Sequence, residues 1–332
     1  MEPDLNRGPN PLEASGPGFL YYKEAVPISE GKKLEFHSGA TANLLFHTLN
    51  IYGFLGSLST SDYEKINEVI GDVPDKAIQT ELLKFKEENH DNIISDFIIL
   101  DPHTPEELIN SFGESADSSI QLFAQALAKS WEKYKSYWET RTAKLYPILQ
   151  ANVEIIPWAE YAQKMELVTG ATFDLDMNII AVEALMRSAS YVEPNIAIGS
   201  IGQGNDAGFV HEGLHLLLKK DWAKEERTKN LVPRSWHDDF WKSNWDVKFE
   251  QAVVVSLDQL IRNRPQSIEG YFKGCRVEGL EKFFFGPIKD WYEAKLTGQT
   301  EEKLSDIIYK ILSSHKKELI DDLSWQDDSR TN

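Results

Sequence analysis

The 332-residue chain predicts an α+β fold that is predominantly helical. Three observations carry this. Apolar residues recur at helical 3–4 spacing from about residue 36 to 150. β-type segments gather between about 151 and 201, and nearly everything after residue 209 returns to helical periodicity. The length suggests about two domains, since domains average roughly 150 residues. We expect a loose tail at 1–18, an N-terminal helical region at 19–150, and a second domain at 151–325 built on a small mixed sheet.

The elements follow in order. Residues 1–18 hold four Pro and three Gly, which favours an unstructured tail. Leu44, Leu45, Leu49 and Tyr52 mark a first helix. Ser59 or Thr60 can cap a second that carries Tyr63, Ile66 and Ile70 on one face. Thr104-Pro105-Glu106-Glu107 is a helix start, with a capping hydroxyl, Pro in the first turn, and acids at the positive end of the helix dipole. A long helix is expected from about Asp117 to Tyr146, with Pro147 ending or kinking it. Its apolar stripe is Ile120, Phe123, Leu127, Trp131, Tyr134 and Trp138. Residues 152–156, Asn-Val-Glu-Ile-Ile, read as a strand. Ala171 to Leu185 and Asn195 to Ile201 supply further strand candidates. Helices are expected at 209–220, about 237–263, about 277–295 and about 301–323.

Composition excludes several classes. Hydrophobic residues make up 41% of the chain, with nine Trp, twelve Tyr and sixteen Phe, enough for a large core and against global disorder. The net charge of −18 argues against nucleic-acid binding, which needs excess Lys and Arg, and against docking on anionic lipid. One cysteine, Cys275, excludes an internal disulfide and any zinc site built from two or four cysteines of the chain. No secretory signal and no run of roughly 20 apolar residues is visible. The expected setting is the cytoplasm, although a mature secreted or periplasmic form would look the same. The sequence carries no signal of oligomeric state.

One motif carries chemistry. His211-Glu212-Gly213-Leu214-His215 is H-E-x-x-H, set among Phe209, Val210, Leu214, Leu216, Leu217 and Leu218. Two imidazoles at i and i+4 project from one helix face and can share a tetrahedral Zn²⁺ at about 2.0–2.1 Å each. Glu212, next in sequence, points elsewhere on the helix and stands beside the ion without ligating it. There its carboxylate can take the proton of a water that zinc acidifies toward a pKa of about 7. The bland alternative is a buried helix with a partly exposed ionic face. It leaves three polar groups on an apolar helix in need of partners.

With this motif behind a β candidate and a glycine-containing loop, the sequence resembles the zincin superfamily of zinc metallopeptidases over about 150–263. The resemblance implies a zincin-like catalytic domain. It also implies that Asn195 to Ile201 is an edge strand pairing with the backbone of a peptide or protein substrate. In the metzincin pattern a Gly follows the second His by three residues, and a ligand stands three further on. Here those positions are Leu218 and Asp221, and without the Gly a continuing helix carries Asp221 about 9 Å along its axis from His215. The gluzincin, or thermolysin-like, pattern takes a Glu from a second helix. Glu250 lies 35 residues after His215 and opens Glu-Gln-Ala-Val-Val-Val-Ser-Leu, where an unpaired carboxylate is costly. Asp246 and Asp258 remain weaker candidates, and a Glu at the solvent boundary is the bland reading. The chain departs from the thermolysin pattern at Val254, which replaces an acid supporting a ligand His, so support must come from Asp258 or a backbone carbonyl. A transition-state donor is not fixed by spacing among His237, Tyr271, Tyr292 and Arg276.

The resemblance therefore implies a zinc metallopeptidase of gluzincin type. His211, His215 and Glu250 hold Zn²⁺, and Glu212 serves as general base and then hands the proton to the leaving amine. The alternatives are a zinc hydrolase of another small amide and a zincin-like binding module that lost catalysis. Intact Glu212 counts against the second.

Other features read as structural. Trp236, Trp241 and Trp245 suit packing more than a pocket wall. Gly202, Gly204 and Gly208 match no phosphate-loop pattern. His37 and His47 fit no ligand spacing, and Glu225-Glu226-Arg227 suits solvated surface.

Overall fold

A computed structural model of the chain describes residues 22–54, 61–84, 93–94, 96–97, 100, 102–183, 196–200, 205–218, 245–263, 267–275 and 277–319. The described residues are mostly helical, with one mixed sheet of four strands, as an α+β fold requires. By internal contacts the chain divides into two units. One comprises Met1–Pro27, Lys33–Pro157 and Asp176–Gly208; the other comprises Ile28–Lys32, Trp158–Leu175 and Phe209–Asn332.

The first unit holds the sheet except for the hairpin tip Ile28–Lys32. Strands β1 (Tyr22–Ser29) and β2 (Lys32–Ser38) form a hairpin across Glu30 and Gly31, where Gly31 takes φ +68° as the tight turn demands. Leu34, Phe36 and Ser38 of β2 are buried while Lys33, Glu35 and His37 are not, the period-2 pattern of a strand with one covered face. The hairpin adds two strands to the stretch 19–150, expected as an N-terminal helical region with helical periodicity from about residue 36. The alternation in Leu-Glu-Phe-His-Ser is short and runs directly into the helical pattern that starts at Ala40.

Strand β3 (Met177–Val182) runs parallel to β2, pairing Leu34 with Met177 and Phe36 with Ile179. Strand β4 (Ile196–Ser200) runs parallel to β3 and ends the described sheet, in the order β1-β2-β3-β4. A strand therefore stands where Asn195 to Ile201 was expected to form one, last in the order among the described strands.

Helix α1 (Ala40–Ile51) follows β2 and is buried along its whole length. Asn43 ties it to the sheet, since its side chain accepts a bond of 2.7 Å from the Glu183 N–H just beyond β3. Helices α2 (Ser61–Ile70) and α3 (Lys76–Leu83) come next. Helix α4 (Pro105–Gly113) starts where expected, and Thr104 and Glu107 form a reciprocal capping box.

Helix α5 (Ser118–Ile155) begins on an Asp117 cap, and its six-residue apolar stripe is buried. Pro147 lies inside it rather than at its end. A proline costs an interior helix about 3 kcal/mol. Leu145, Leu149 and Val153 are each at most 4% exposed, so burial continues past Pro147 at helical spacing and offsets that cost. The strand expected at 152–156 is thus the last turn of α5. Val153 is buried, but Ile155 is 78% exposed, which helical geometry explains and a buried strand would not.

Apart from the hairpin tip Ile28–Lys32, the regular structure of the second unit is helical. Helix α6 (Trp158–Thr169) is followed by α7 (Asn205–Leu218), α8 (Trp245–Arg262), α9 (Ile268–Gly274), α10 (Glu281–Leu296) and α11 (Leu304–Ser314). Helix α8 is its centre and packs on α6, α9 and α10. Among the described residues no helix is long and apolar enough to cross a membrane.

Candidate metal centre

Helix α7 is pinned by its apolar residues. Phe209, Val210 and Leu214 have no exposed surface. Phe209 meets Trp158 of α6 edge-on at 5.4 Å and stacks against Phe173 at 6.2 Å. Gly213, between the two histidines, lets α7 come close to α6. A Cβ there would stand 3.0 Å from Met165 Sδ and 3.3 Å from Phe173 Cζ. The helix is thus held on one side, which fixes where its histidine face points.

His211 and His215 lie one turn apart with ring centroids 5.0 Å apart. His211 is buried, and burial first, then the neighbouring His215 and Arg262 charges, push its pKa down to about 3. It is therefore a neutral imidazole at ordinary pH, the form that binds metals. Glu212 is 3% exposed.

Helix α8 brings the partners. Residues Ala252 to Leu257 have no exposed surface, so the helix is anchored in the core immediately after Glu250 and Gln251. Glu250 Oε1 lies 2.7 Å from His215 Nδ1. Gln251 Oε1 lies 3.0 Å from His215 Nε2, and Gln251 Nε2 lies 2.9 Å from His211 Nε2. Glu250 thus addresses the Nδ1 edge of His215, while one carboxamide spans the Nε2 atoms of both rings. Among the described residues, no three His, Cys, Asp or Glu side chains converge on one point as a ligand set would.

The residues nonetheless suit a divalent ion. Glu250 is 3% exposed and its Oε2 has no hydrogen-bond partner among the described residues, a costly state for a carboxylate oxygen. It stands beside two imidazoles, one of them held neutral. Such a nitrogen and oxygen donor set suits zinc.

Asp258, a weaker ligand candidate and possible support, and Tyr271 and Tyr292, candidate transition-state donors, take definite places. Asp258 does not stand unengaged behind a histidine: its carboxylate takes both Nε and, at 2.9 Å, the terminal nitrogen of Arg262, and accepts the Tyr271 hydroxyl. Tyr271 is raised far above the usual phenol range by burial and the Asp258 charge. Tyr292 is buried in α10, where burial and the Glu160 charge push it up to about 12. The support behind His215 comes from Glu250 itself. His47 is buried against Tyr134 and 3.4 Å from Asp72, and His37 meets Asn178, both structural roles. Cys275 follows α9 and donates its backbone N–H to Tyr271.

Asp221, Trp236, His237, Trp241, Gly202, Gly204, Arg276 and Glu225 to Arg227 lie outside the described residues, as do the side chains of Trp245 and Asp246. Gln251 is the participant that sequence reasoning missed. Amides are unusual zinc ligands, and nothing in its spacing marks it.

No protein-family model, curated protein or solved structure matches the chain. Its chemistry must therefore be argued from these side chains.

Proposed function

We propose that the chain is a zinc-dependent hydrolase of peptide bonds. The observation that carries this is the meeting of the two H-E-x-x-H imidazoles with Glu250 and Gln251 of α8, in a largely buried setting, with one carboxylate oxygen left without a partner among the described residues. His211 and His215 would bind the ion, and Glu250 would add its carboxylate. Zinc bound there supplies a Lewis acid that polarises a carbonyl and brings water's pKa toward neutrality.

The remaining work belongs to the chain. Burial keeps His211 deprotonated, so it needs no proton loss to act as a ligand. Before the ion enters, the Glu250 contact at Nδ1 fixes the ring plane of His215. Glu212, adjacent to His211 and buried, accepts the proton of the attacking water on its carboxylate and delivers it to the departing amine nitrogen. Peptide rather than another amide as substrate rests on the resemblance of the motif to zincin metallopeptidases.

The test is a cleavage assay on a mixed peptide library with zinc-loaded protein. Glu212→Gln should retain zinc and lose about 10²–10⁴-fold in rate. Full activity in that variant would remove Glu212 from the chemistry.

A further inference from the structure

A ring nitrogen serves one partner at a time, whether it donates an N–H, as His215 Nε2 does to the Gln251 oxygen, or accepts through its lone pair, as His211 Nε2 does from the Gln251 amide. In the structure the Nε2 atoms of His211 and His215 both serve Gln251, at 2.9 and 3.0 Å. An ion held by those nitrogens sits at about 2.0–2.1 Å and occupies the same direction in space. The Gln251 carboxamide and the ion therefore exclude each other.

We infer that Gln251 is a latch on the metal site, an inference that rests on the zinc reading above. In the metal-free protein its carboxamide holds the two imidazoles in register, and it swings aside when zinc enters. The amide suits this use because one end donates and the other accepts, so it can bridge two rings in complementary hydrogen-bonding states. Its place suits it too. Gln251 and His215 are the partly exposed members of the group, whereas His211, Glu212 and Glu250 are buried. The released side chain has solvent to enter, and a neutral amide leaves no charge stranded when it goes. Glu250 meets His215 on its other edge, at Nδ1, and reaches an ion at the Nε2 atoms only by giving up that contact.

The latch stabilises only the metal-free state. Removing it should weaken that state and tighten zinc binding. Two lost hydrogen bonds of ordinary net strength correspond to a zinc dissociation constant lower on the order of tenfold. The experiment compares wild type, Gln251→Ala, Gln251→Met and His211→Ala. Zinc affinity is read by competition with a fluorescent chelator, and the melting temperature is read without metal. Gln251→Met keeps the length of the side chain and guards against an alanine variant that fails to fold. The expected result is a lower metal-free melting temperature and tighter zinc in both Gln251 variants, with zinc lost in His211→Ala. Unchanged or weaker zinc in the Gln251 variants, while His211→Ala still loses it, overturns the latch and leaves the zinc site standing. Equal zinc binding by wild type and His211→Ala, or none by either, overturns both.

Discussion

The Asp258–Arg262 pair offers a severe test of the packing around the site. The two side chains lie one turn apart on α8, with 0% and 2% of their surface exposed. Tyr271 of α9 donates to the same carboxylate, and the guanidinium lies 5.7 Å from its ring. Changing Asp258 to Leu removes the charge, stranding a buried guanidinium. Breaking a buried pair in this way costs about 3–5 kcal/mol. Arg262→Met strands the carboxylate instead and should cost a similar amount. The double variant Asp258→Leu, Arg262→Met removes both charges. Apolar replacement of a buried pair is often neutral or better, so its main cost is the orphaned Tyr271 hydroxyl, about 1–3 kcal/mol. The coupling energy should thus be at least about 3 kcal/mol, far above the few tenths expected of independent sites. Urea unfolding of the metal-free protein, followed by circular dichroism and Trp fluorescence, measures it. A double variant as damaged as the sum of the singles would refute the buried pair.

Two further outcomes follow from the same geometry. Glu250→Ala should abolish stoichiometric zinc binding if its carboxylate is a ligand, as dialysis and metal analysis would show; a residual affinity only 10–100-fold weaker, as loss of an outer partner gives, would confine Glu250 to orienting His215. Glu35 on β2 should shape acid stability. Burial alone would raise its pKa, but Lys23 at 2.7 Å and Lys33 hold it down at about 2, against an ordinary value of 4.5. A depressed carboxylate contributes stability above about pH 4.5 and loses it as pH falls toward 2. The melting-temperature gap between wild type and Glu35→Gln should therefore close across that window, and a gap constant from pH 6 to 2 would contradict the assignment.

Much of the helical framework was legible because its signals are local. Thr104, Pro105 and Glu107 satisfy the orphan N–H groups of one turn wherever the rest of the chain goes, and Asp117 does the same for α5. The H-E-x-x-H helix was equally legible, since i and i+4 share a face in any α-helix. What misled was apolar sequence without context. Val153-Glu154-Ile155-Ile156 has strand composition, but it continues the buried stripe of α5 across a proline, and tertiary burial outweighs both signals. The β1–β2 hairpin was missed because β2 is completed by β3, which lies some 140 residues later in the chain. Gln251 and the Asp258–Arg262–Tyr271 cluster were invisible for the same reason. Their roles depend on which side chains a neighbouring helix delivers, and no spacing rule encodes that.

The central claim is that two imidazoles one turn apart grip a zinc ion. Metal analysis of purified, zinc-equilibrated and dialysed protein addresses it directly, with His211→Ala and His215→Ala alongside, each verified as folded by circular dichroism. One zinc per wild-type chain and none in either variant is the predicted result. A wild-type chain without zinc, or variants that keep it, would contradict the account at its root.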